Sequence, residues 1–559
     1  MTDVTQSFAA TFVDELAAQG VEFACVSPGS RSAPVAMALQ RHPRIKVLVH
    51  IDERCGSFFA VGLGKATGKP AVILCTSGTA AAEFHAAVVE AAYSRTPLIV
   101  LTADRPPELQ AVGANQAIDQ QRLYGSAPVW FFDPGVPVEL PGAARMWRRL
   151  AARAVAEASS GPVHLNLPFR EPLVSPPGRV PAAVGAPAQT VTAGRLLPSQ
   201  AQVASLSSAL QRAQRPLMVA GALRDGDRLA PALQRLGLPL LAEPTSQLRR
   251  GEAGPVVESY EALLRAGWSL QHGPDLVIRL GATPTSRVLN RWLAAAAAPT
   301  FLIDPERAWR DEDYVATNVM SCDPQHLLEA LAPVDRAAWR DQWVSAGKKA
   351  AAAVAAAMVS TPLHEGHVVR ALSARLPEAG QVFIGSSMPI RAADSFWPVA
   401  RPRQRFFANR GASGIDGLVS SGLGVATGRN PSPTVLLLGD LSLYHDMNGL
   451  WALQRHGIRA TLVVCDNNGG GVFNFLPQAE HQDVFEEIFA TPLGLDLSQV
   501  ARLYGLVYSP VSDRSGLEPA IADAIAAPTP TMVVVRFKRE DSVTGHRVCW
   551  EAAASALKG

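Results

Sequence analysis

A seven-residue string occurs twice in this chain with one position changed. Gly62-Leu63-Gly64-Lys65-Ala66-Thr67-Gly68 recurs as Gly422-Leu423-Gly424-Val425-Ala426-Thr427-Gly428. Each copy is followed by the same events in the same order: a short apolar run, a polar turn, a helical stretch and another apolar run. These span Ala71–Cys75 to Pro97–Leu101 in the first case and Thr434–Leu438 to Thr461–Cys465 in the second. Four matching events point to duplication of one βαβ scaffold. Small residues between helix and sheet suffice to explain the glycines, so the repeat speaks for fold and not for chemistry.

The flanking pattern extends this reading. Phe8, Phe12, Val13 and Leu16 recur at helical spacing before a stop at Gly20. Strands are expected at Val21–Val26, Ile45–Ile51, Ala71–Cys75 and Pro97–Leu101, with a last one at His164–Pro168. Alternation of short strands with helices predicts a parallel, doubly wound sheet. The long polar segment from Asp104 to Tyr124 is a functional loop by its length. Six prolines between Pro172 and Pro198 mark a linker. Beyond it, Pro216–Ala220, Pro239–Ala242, Asp275–Leu280 and Thr300–Ile303 outline a second α/β unit, and the Ala-rich tract Lys349–Met358 is a helical connector. At 559 residues the chain is expected to hold about three domains, placed at 1–175, 195–340 and 360–559.

Composition narrows the function. The chain is 48% hydrophobic and 18% charged with net charge +2, and no basic block stands out, so neither nucleic acid nor a membrane surface is an expected partner. No apolar tract approaches a membrane span and no leader peptide is apparent at Met1-Thr2-Asp3. The six cysteines form no CxxC pair, and several lie in apolar strand-like runs; buried free thiols and a cytoplasmic location follow as expectations.

Chemistry concentrates between Val435 and Phe475. One apolar run ends at Gly439-Asp440-Leu441-Ser442 and the next at Asp466-Asn467-Asn468-Gly469-Gly470-Gly471. In an open α/β sheet, ligands bind outside the carboxyl ends of the strands. A carboxylate, an amide oxygen and glycine-freed carbonyls at such an edge suit a hard cation with room for phosphate oxygens. For Asp440 or Asn467 alone, a helix cap or an Asn-Gly turn would be the ordinary explanation. Together, each closing a strand of the repeated half, they point to a Mg²⁺–diphosphate site.

At these residues the chain resembles the thiamine diphosphate-dependent enzymes, whose signature is Gly-Asp-Gly, a spacer and Asn-Asn. Leu441 stands where the third glycine would be. Four segments resemble the synthases of menaquinone biosynthesis that make 2-succinyl-5-enolpyruvyl-6-hydroxy-3-cyclohexene-1-carboxylate. They are Ser27-Pro28-Gly29-Ser30-Arg31-Ser32-Ala33-Pro34; Thr102-Ala103-Asp104-Arg105-Pro106-Pro107 with Gly113-Ala114-Asn115-Gln116-Ala117-Ile118; Asn409-Arg410-Gly411-Ala412-Ser413-Gly414-Ile415-Asp416; and the Gly439–Ser442 and Asp466–Gly470 turns. Leu441 is itself a feature of that family. The likeness spans the first and third domains, and the middle one matches loosely.

The resemblance implies an α/β architecture of three doubly wound parallel-sheet domains: a pyrimidine-binding and a diphosphate-binding domain flanking a Rossmann-like middle domain. It implies thiamine diphosphate with Mg²⁺ or Mn²⁺, the metal held by Asp440, Asn467 and the Gly469 carbonyl. Gly439, Leu441, Ser442, Ser387, Ile415, Val472 and Phe473 would complete the cofactor's surroundings, with Ile415 wedged between its rings. Glu53 would share a proton with the aminopyrimidine ring, a role that a carboxyl raised by an apolar pocket can fill. A surface pairing of Glu53 with Arg54 or Arg31 is the plain alternative.

The implied reaction decarboxylates 2-oxoglutarate and adds the succinyl carbanion equivalent to isochorismate, so several carboxylates must be bound. Arginine suits that task through its permanent charge and bidentate fork. By resemblance, Ser30, Arg31, Arg105, Asn115, Gln116, Ser387, Arg391 and Arg410 line the substrate pocket, with Arg287 as a further basic position. Arg31, Arg391 and Arg410 join Glu53 as the catalytic set. A homo-oligomer is implied, a dimer or dimer of dimers with sites at the subunit interface.

Two alternatives differ in what they require. Another thiamine enzyme, such as an acetohydroxyacid synthase or 2-oxo acid decarboxylase, handles small substrates and would not need four arginines. Gly221-Ala222-Leu223-Arg224-Asp225-Gly226 does not follow G-x-G-x-x-G, which speaks against bound FAD. A non-catalytic Rossmann-like regulator would be expected to lack Glu53 or Asp440, and both are present.

Overall fold

The computed structural model describes residues 4–187, 189–399, 404–429 and 431–558. The chain divides into two compact units. One comprises Met1–Ala193, Asn409–Pro431 and Ser442–Ala460; the other comprises Gly194–Ala408, Ser432–Leu441 and Thr461–Gly559.

The first unit is built on a six-stranded sheet of β1 (Phe23–Val26), β2 (Lys46–Val49), β3 (Ala71–Cys75), β4 (Leu98–Asp104), β5 (Trp130–Phe132) and β6 (Pro162–Pro168). The order is β2-β1-β3-β4-β6-β5 and every pairing is parallel. β3, β4 and β6 are buried along their whole lengths, as unbroken apolar runs covered on both faces should be. The helix Val4–Ala18 buries Phe8, Phe12, Val13 and Leu16 against this sheet and Trp147. The linker after Pro172 has no helix or strand before Gln200 among the described residues.

The repeated glycines have a different use from the one expected. The helices Glu53–Thr67 and Leu418–Gly428 cross each other inside this unit, copy against copy. A Cβ on Gly62 would strike the Ser421 carbonyl and reach Gly424 Cα at 3.0 Å; one on Gly424 would strike the Phe59 carbonyl and reach Gly62 Cα at 3.0 Å. The small residues thus let two helix backbones touch. Gly64 meets Thr96 and the Pro97 carbonyl instead.

The second unit holds two sheets. The middle one contains β7 (Pro216–Ala220), β8 (Leu240–Ala242), β9 (Leu276–Leu280), β10 (Thr300–Ile303) and β11 (Asn318–Met320), ordered β11-β10-β9-β7-β8. The other contains β12 (Gln381–Ile384), β13 (Arg405–Phe407), β14 (Thr434–Gly439), β15 (Thr461–Asp466), β16 (Val507–Val511) and β17 (Thr531–Arg536), ordered β13-β12-β14-β15-β17-β16. Renumbered from its own first strand, this last order equals that of the first sheet, which is what duplication requires.

The Ala-rich tract belongs to a longer helix, Ala337–Met358, and it is more than a connector. Trp339, Trp343, Ala346, Ala350, Val354 and Met358 recur every three or four residues and are buried in one core with strands of both sheets. A buried side chain of this kind contributes about 1.5–3 kcal/mol, so the stripe welds the sheets of the second unit together. Among the described residues no helix is long and apolar enough to cross a membrane.

Candidate active site

Several of the expected site residues fall at or just past carboxyl ends of strands. In the second unit, β14 and β15 run side by side with Leu438 paired to Val464 and Gly439 to Cys465. Their ends therefore present Asp440 and Asn467 next to each other. Asp440 is 4% exposed and accepts hydrogen bonds from the Leu441 amide at 2.8 Å and from the Gly469 amide at 2.7 Å. One carboxylate thus ties the two turns together. Its burial pushes the carboxyl up to about 6, against the pull of those two amides.

Asn467 is 8% exposed, and its Oδ1 has no hydrogen-bond partner among the described residues. A buried acceptor without a partner costs free energy unless a cation or donor meets it. Gly469 adopts φ +133°, and its carbonyl accepts the Gly471 amide at 2.9 Å, leaving its second lone pair for another partner. Among the described residues, its two chain neighbours apart, no atom lies within 4 Å of a Cβ placed on Gly439, so there is space at the end of β14. A buried carboxylate, an orphaned amide oxygen and a backbone carbonyl make an all-oxygen donor set that fits Mg²⁺ or Mn²⁺ carrying phosphate oxygens. Val472 and Phe473 follow in the turn Gly471–Phe475, both half-buried.

Ser387 lies three residues past the end of β12, which is the strand where the order of this sheet reverses, and precedes the helix Met388–Phe396. It holds φ 70° and ψ −127°, a conformation that strains a residue with a Cβ and tends to occur at ligand-binding turns. Arg391 is exposed one turn along the following helix and donates to the Ser387 carbonyl at 2.6 Å. Arg287 stands apart from these turns, exposed at the first position of the helix Arg287–Ala296 beside the middle sheet.

In the first unit, Glu53 is not at the strand end but at the first position of the helix Glu53–Thr67, which Asp52 caps by accepting the Cys55 amide at 3.1 Å. Glu53 is half-buried, and burial raises its carboxyl, as do the nearby Asp52 and Glu83 charges. The surface pairing considered from sequence does not form: Arg54 donates to the His445 carbonyl at 2.9 Å and Arg31 faces Glu171 at 3.5 Å.

The ends of β1, β3 and β4 gather a basic edge. Arg31 is 7% exposed and donates to the Phe169 carbonyl at 3.0 Å, while its buried Nε has no partner among the described residues. Arg105 bonds Ser77 Oγ, and burial together with the Arg31 charge lowers its pKa. A second guanidinium charge felt by a partly buried Arg105 suits an anion at this edge. Gln116, at φ 58°, exchanges bonds with Ser77: its carbonyl accepts from Ser77 Oγ at 2.8 Å and its Nε2 donates to the Ser77 carbonyl at 2.9 Å. Ser30 and Asn115 are exposed on the same loops.

A buried polar network that the sequence reading did not mark holds this edge. Asn166 donates to Asp104 at 2.9 Å, Gln120 donates to Asn166 Oδ1 at 2.9 Å, and the Gly78 amide donates to Gln120 at 3.0 Å. Asp104 ends β4 and Gly78 follows β3, which was the available signal, whereas Asn166 lies within β6 and Gln120 in the long loop after β4, where only tertiary contacts mark them.

The segment bearing Arg410 and Ile415, both half-buried, also lies in the first unit. The Gly411 and Ala412 amides donate to the buried Glu90 carboxylate at 3.1 and 2.7 Å, and Lys65 neutralises Glu90 at 3.0 Å. Ser442 is buried, and Leu441 is half-buried.

Comparison with known proteins agrees with this geometry. Residues 6–123 match the thiamine pyrophosphate enzyme N-terminal TPP binding domain, 196–384 the middle domain, and 386–535 the C-terminal TPP binding domain. A 2-succinyl-5-enolpyruvyl-6-hydroxy-3-cyclohexene-1-carboxylate synthase of Geobacillus kaustophilus is 42% identical, covering 100% of this chain and 99% of the relative. Proteins of the same name from Bacillus velezensis and Haloarcula marismortui are 38% and 39% identical, each over 100% of this chain and 99% of the relative. This chain belongs to the thiamine pyrophosphate enzyme family and, within it, to the family of these synthases.

Proposed function

We propose that this thiamine diphosphate-dependent enzyme decarboxylates 2-oxoglutarate and joins the resulting succinyl unit to isochorismate, giving the product for which its relatives are named, in menaquinone biosynthesis. The observation that carries the reading is the buried Asn467 Oδ1, without a partner among the described residues, in the turn that Asp440 ties down. Asp440, Asn467 and the Gly469 carbonyl would hold Mg²⁺ or Mn²⁺, and through it the diphosphate. Bound thiamine diphosphate supplies the nucleophilic carbon and the electron sink for loss of CO₂ from a 2-oxo acid.

The protein's own residues do the rest. Glu53, with its raised carboxyl, holds a proton against the ring nitrogen of the cofactor. Arg31 and Arg105 take substrate carboxylates, and Arg391 and Arg410 add further carboxylate contacts. In this proposal residues 1–175 serve the pyrimidine end and residues 360–559 the diphosphate end. The two ends of one site come from different subunits of a dimer or dimer of dimers. A cytoplasmic location suits six buried cysteines that form no disulfide.

The test is CO₂ release from the purified chain given thiamine diphosphate, Mg²⁺ and 2-oxoglutarate. Isochorismate should accelerate it. Equal turnover of pyruvate, with no response to isochorismate, would reject the substrate assignment.

A further inference from the structure

The turn that presents Glu53 is gripped on both sides by one short segment. Asn448 Nδ2 donates to Asp52 Oδ2 at 3.1 Å, just before Glu53. The His445 carbonyl accepts from Arg54 Nη2 at 2.9 Å, just after it. Next along, Cys55 Sγ lies 3.3 Å from Asp446 Oδ1. Asp446 is fully buried and accepts from the Ser420 amide at 2.6 Å and from Ser420 Oγ at 3.0 Å, so the grip is anchored on the first turns of the helix Leu418–Gly428. Further on, His456 Nε2 lies 3.0 Å from the Val49 carbonyl at the end of β2. All of these residues belong to the first unit.

We propose that His445, Asp446 and Asn448 are positioning residues for Glu53, fixing the Asp52–Cys55 turn so that its carboxyl is aimed rather than free to swing. The chemistry favours this over simple stability. Asp52 already has its own cap bond to the Cys55 amide, so the helix would form without Asn448. The bonds from His445 and Asn448 are exposed, where they contribute little to stability but still restrict orientation. Asp446 Oδ1 meets both Cys55 and Ser420 Oγ while Oδ2 takes the Ser420 amide, so one carboxylate links two helices, and burial pushes it up to about 6. Retaining a buried acid here, where an apolar residue would pack at lower cost, points to a geometric use.

The inference rests on the role given to Glu53 and is tested alongside it. Steady-state kinetics of the full chain with thiamine diphosphate, Mg²⁺, 2-oxoglutarate and isochorismate would compare Asn448→Ala, Asn448→Asp, Asn448→Gln, Asp446→Asn and Glu53→Gln. Asn448→Ala and Asn448→Asp are expected to lower kcat by about tenfold or more, the scale of loss a misplaced catalytic group brings, while KM for 2-oxoglutarate stays within about twofold. Asn448→Gln, which keeps the donor, should recover most of that loss, and Asp446→Asn should behave like Asn448→Ala. If Glu53→Gln abolishes turnover while Asn448→Ala and Asn448→Asp keep wild-type kcat, the positioning role is overturned and the role of Glu53 stands. If Glu53→Gln itself turns over at the wild-type rate, the role of Glu53 falls first and the positioning role with it.

Discussion

Asp440 is the residue whose physics makes the sharpest solution prediction. Its carboxyl is raised by burial to about 6 in the folded chain, above its ordinary value of 3.8. A raised folded pKa contributes stability that is complete below about pH 4 and is lost as pH rises through 6. A bound cation reverses that cost, because it favours the ionised form. The rise in melting temperature on adding thiamine diphosphate and Mg²⁺ is therefore expected to be large above pH 6 and to shrink below it. Asp394 and Asp446, also raised to about 7 and 6, titrate in the same window, but their effects cancel when melts with and without ligand are subtracted. A ligand-induced shift that is constant through pH 6, or one that persists in Asp440→Asn, would contradict the assignment. Asp440 and Asn467 could be read from the sequence because each closes an apolar run. Asp446 and Glu90 could not: a lone carboxylate within a helical stretch has many ordinary uses, and only the tertiary contacts show what it bonds.

At the scale of elements, the helix pair Glu53–Thr67 and Leu418–Gly428 matters most, since one carries Glu53 and the other follows the Arg410 segment. Their backbones meet at Gly62 and Gly424. An alanine there has a Cβ with no room, so Gly62→Ala is expected to destabilise the chain by about 1–3 kcal/mol, the usual cost of overpacking. A lowered thermal midpoint would show it, and an unchanged one would mean the helices part freely. The repeat itself was legible, but its purpose was not, because sequence spacing cannot tell which helix lies opposite. Some edge strands were also hidden, though β2 and β8 were not. β5, β11 and β13 have three residues each and sit at sheet edges, where pairing with a neighbour and not local pattern decides the conformation. The long central strands, by contrast, were close to their expected bounds, since continuous burial forces continuous apolar runs.

For the whole molecule, the matching strand orders of the first and last sheets make a case that no single motif could. Two copies of one scaffold have diverged: one ends its strands in arginines, glutamine and serine, the other in a carboxylate, an amide and glycines. A cofactor with a ring at one end and a diphosphate at the other suits such a pair. If the two ends are completed across subunits, light scattering should give at least twice the 59.2 kDa chain mass, and a monomer retaining full activity would refute shared sites. The account depends most on the division of labour between Glu53 and the Asp440–Asn467 turn, and turnover by Glu53→Gln tests that division directly. The substitution keeps shape and removes the proton-holding carboxyl. The expected result is loss of isochorismate-dependent CO₂ release with thiamine diphosphate and Mg²⁺ still bound; turnover near the wild-type rate would contradict it.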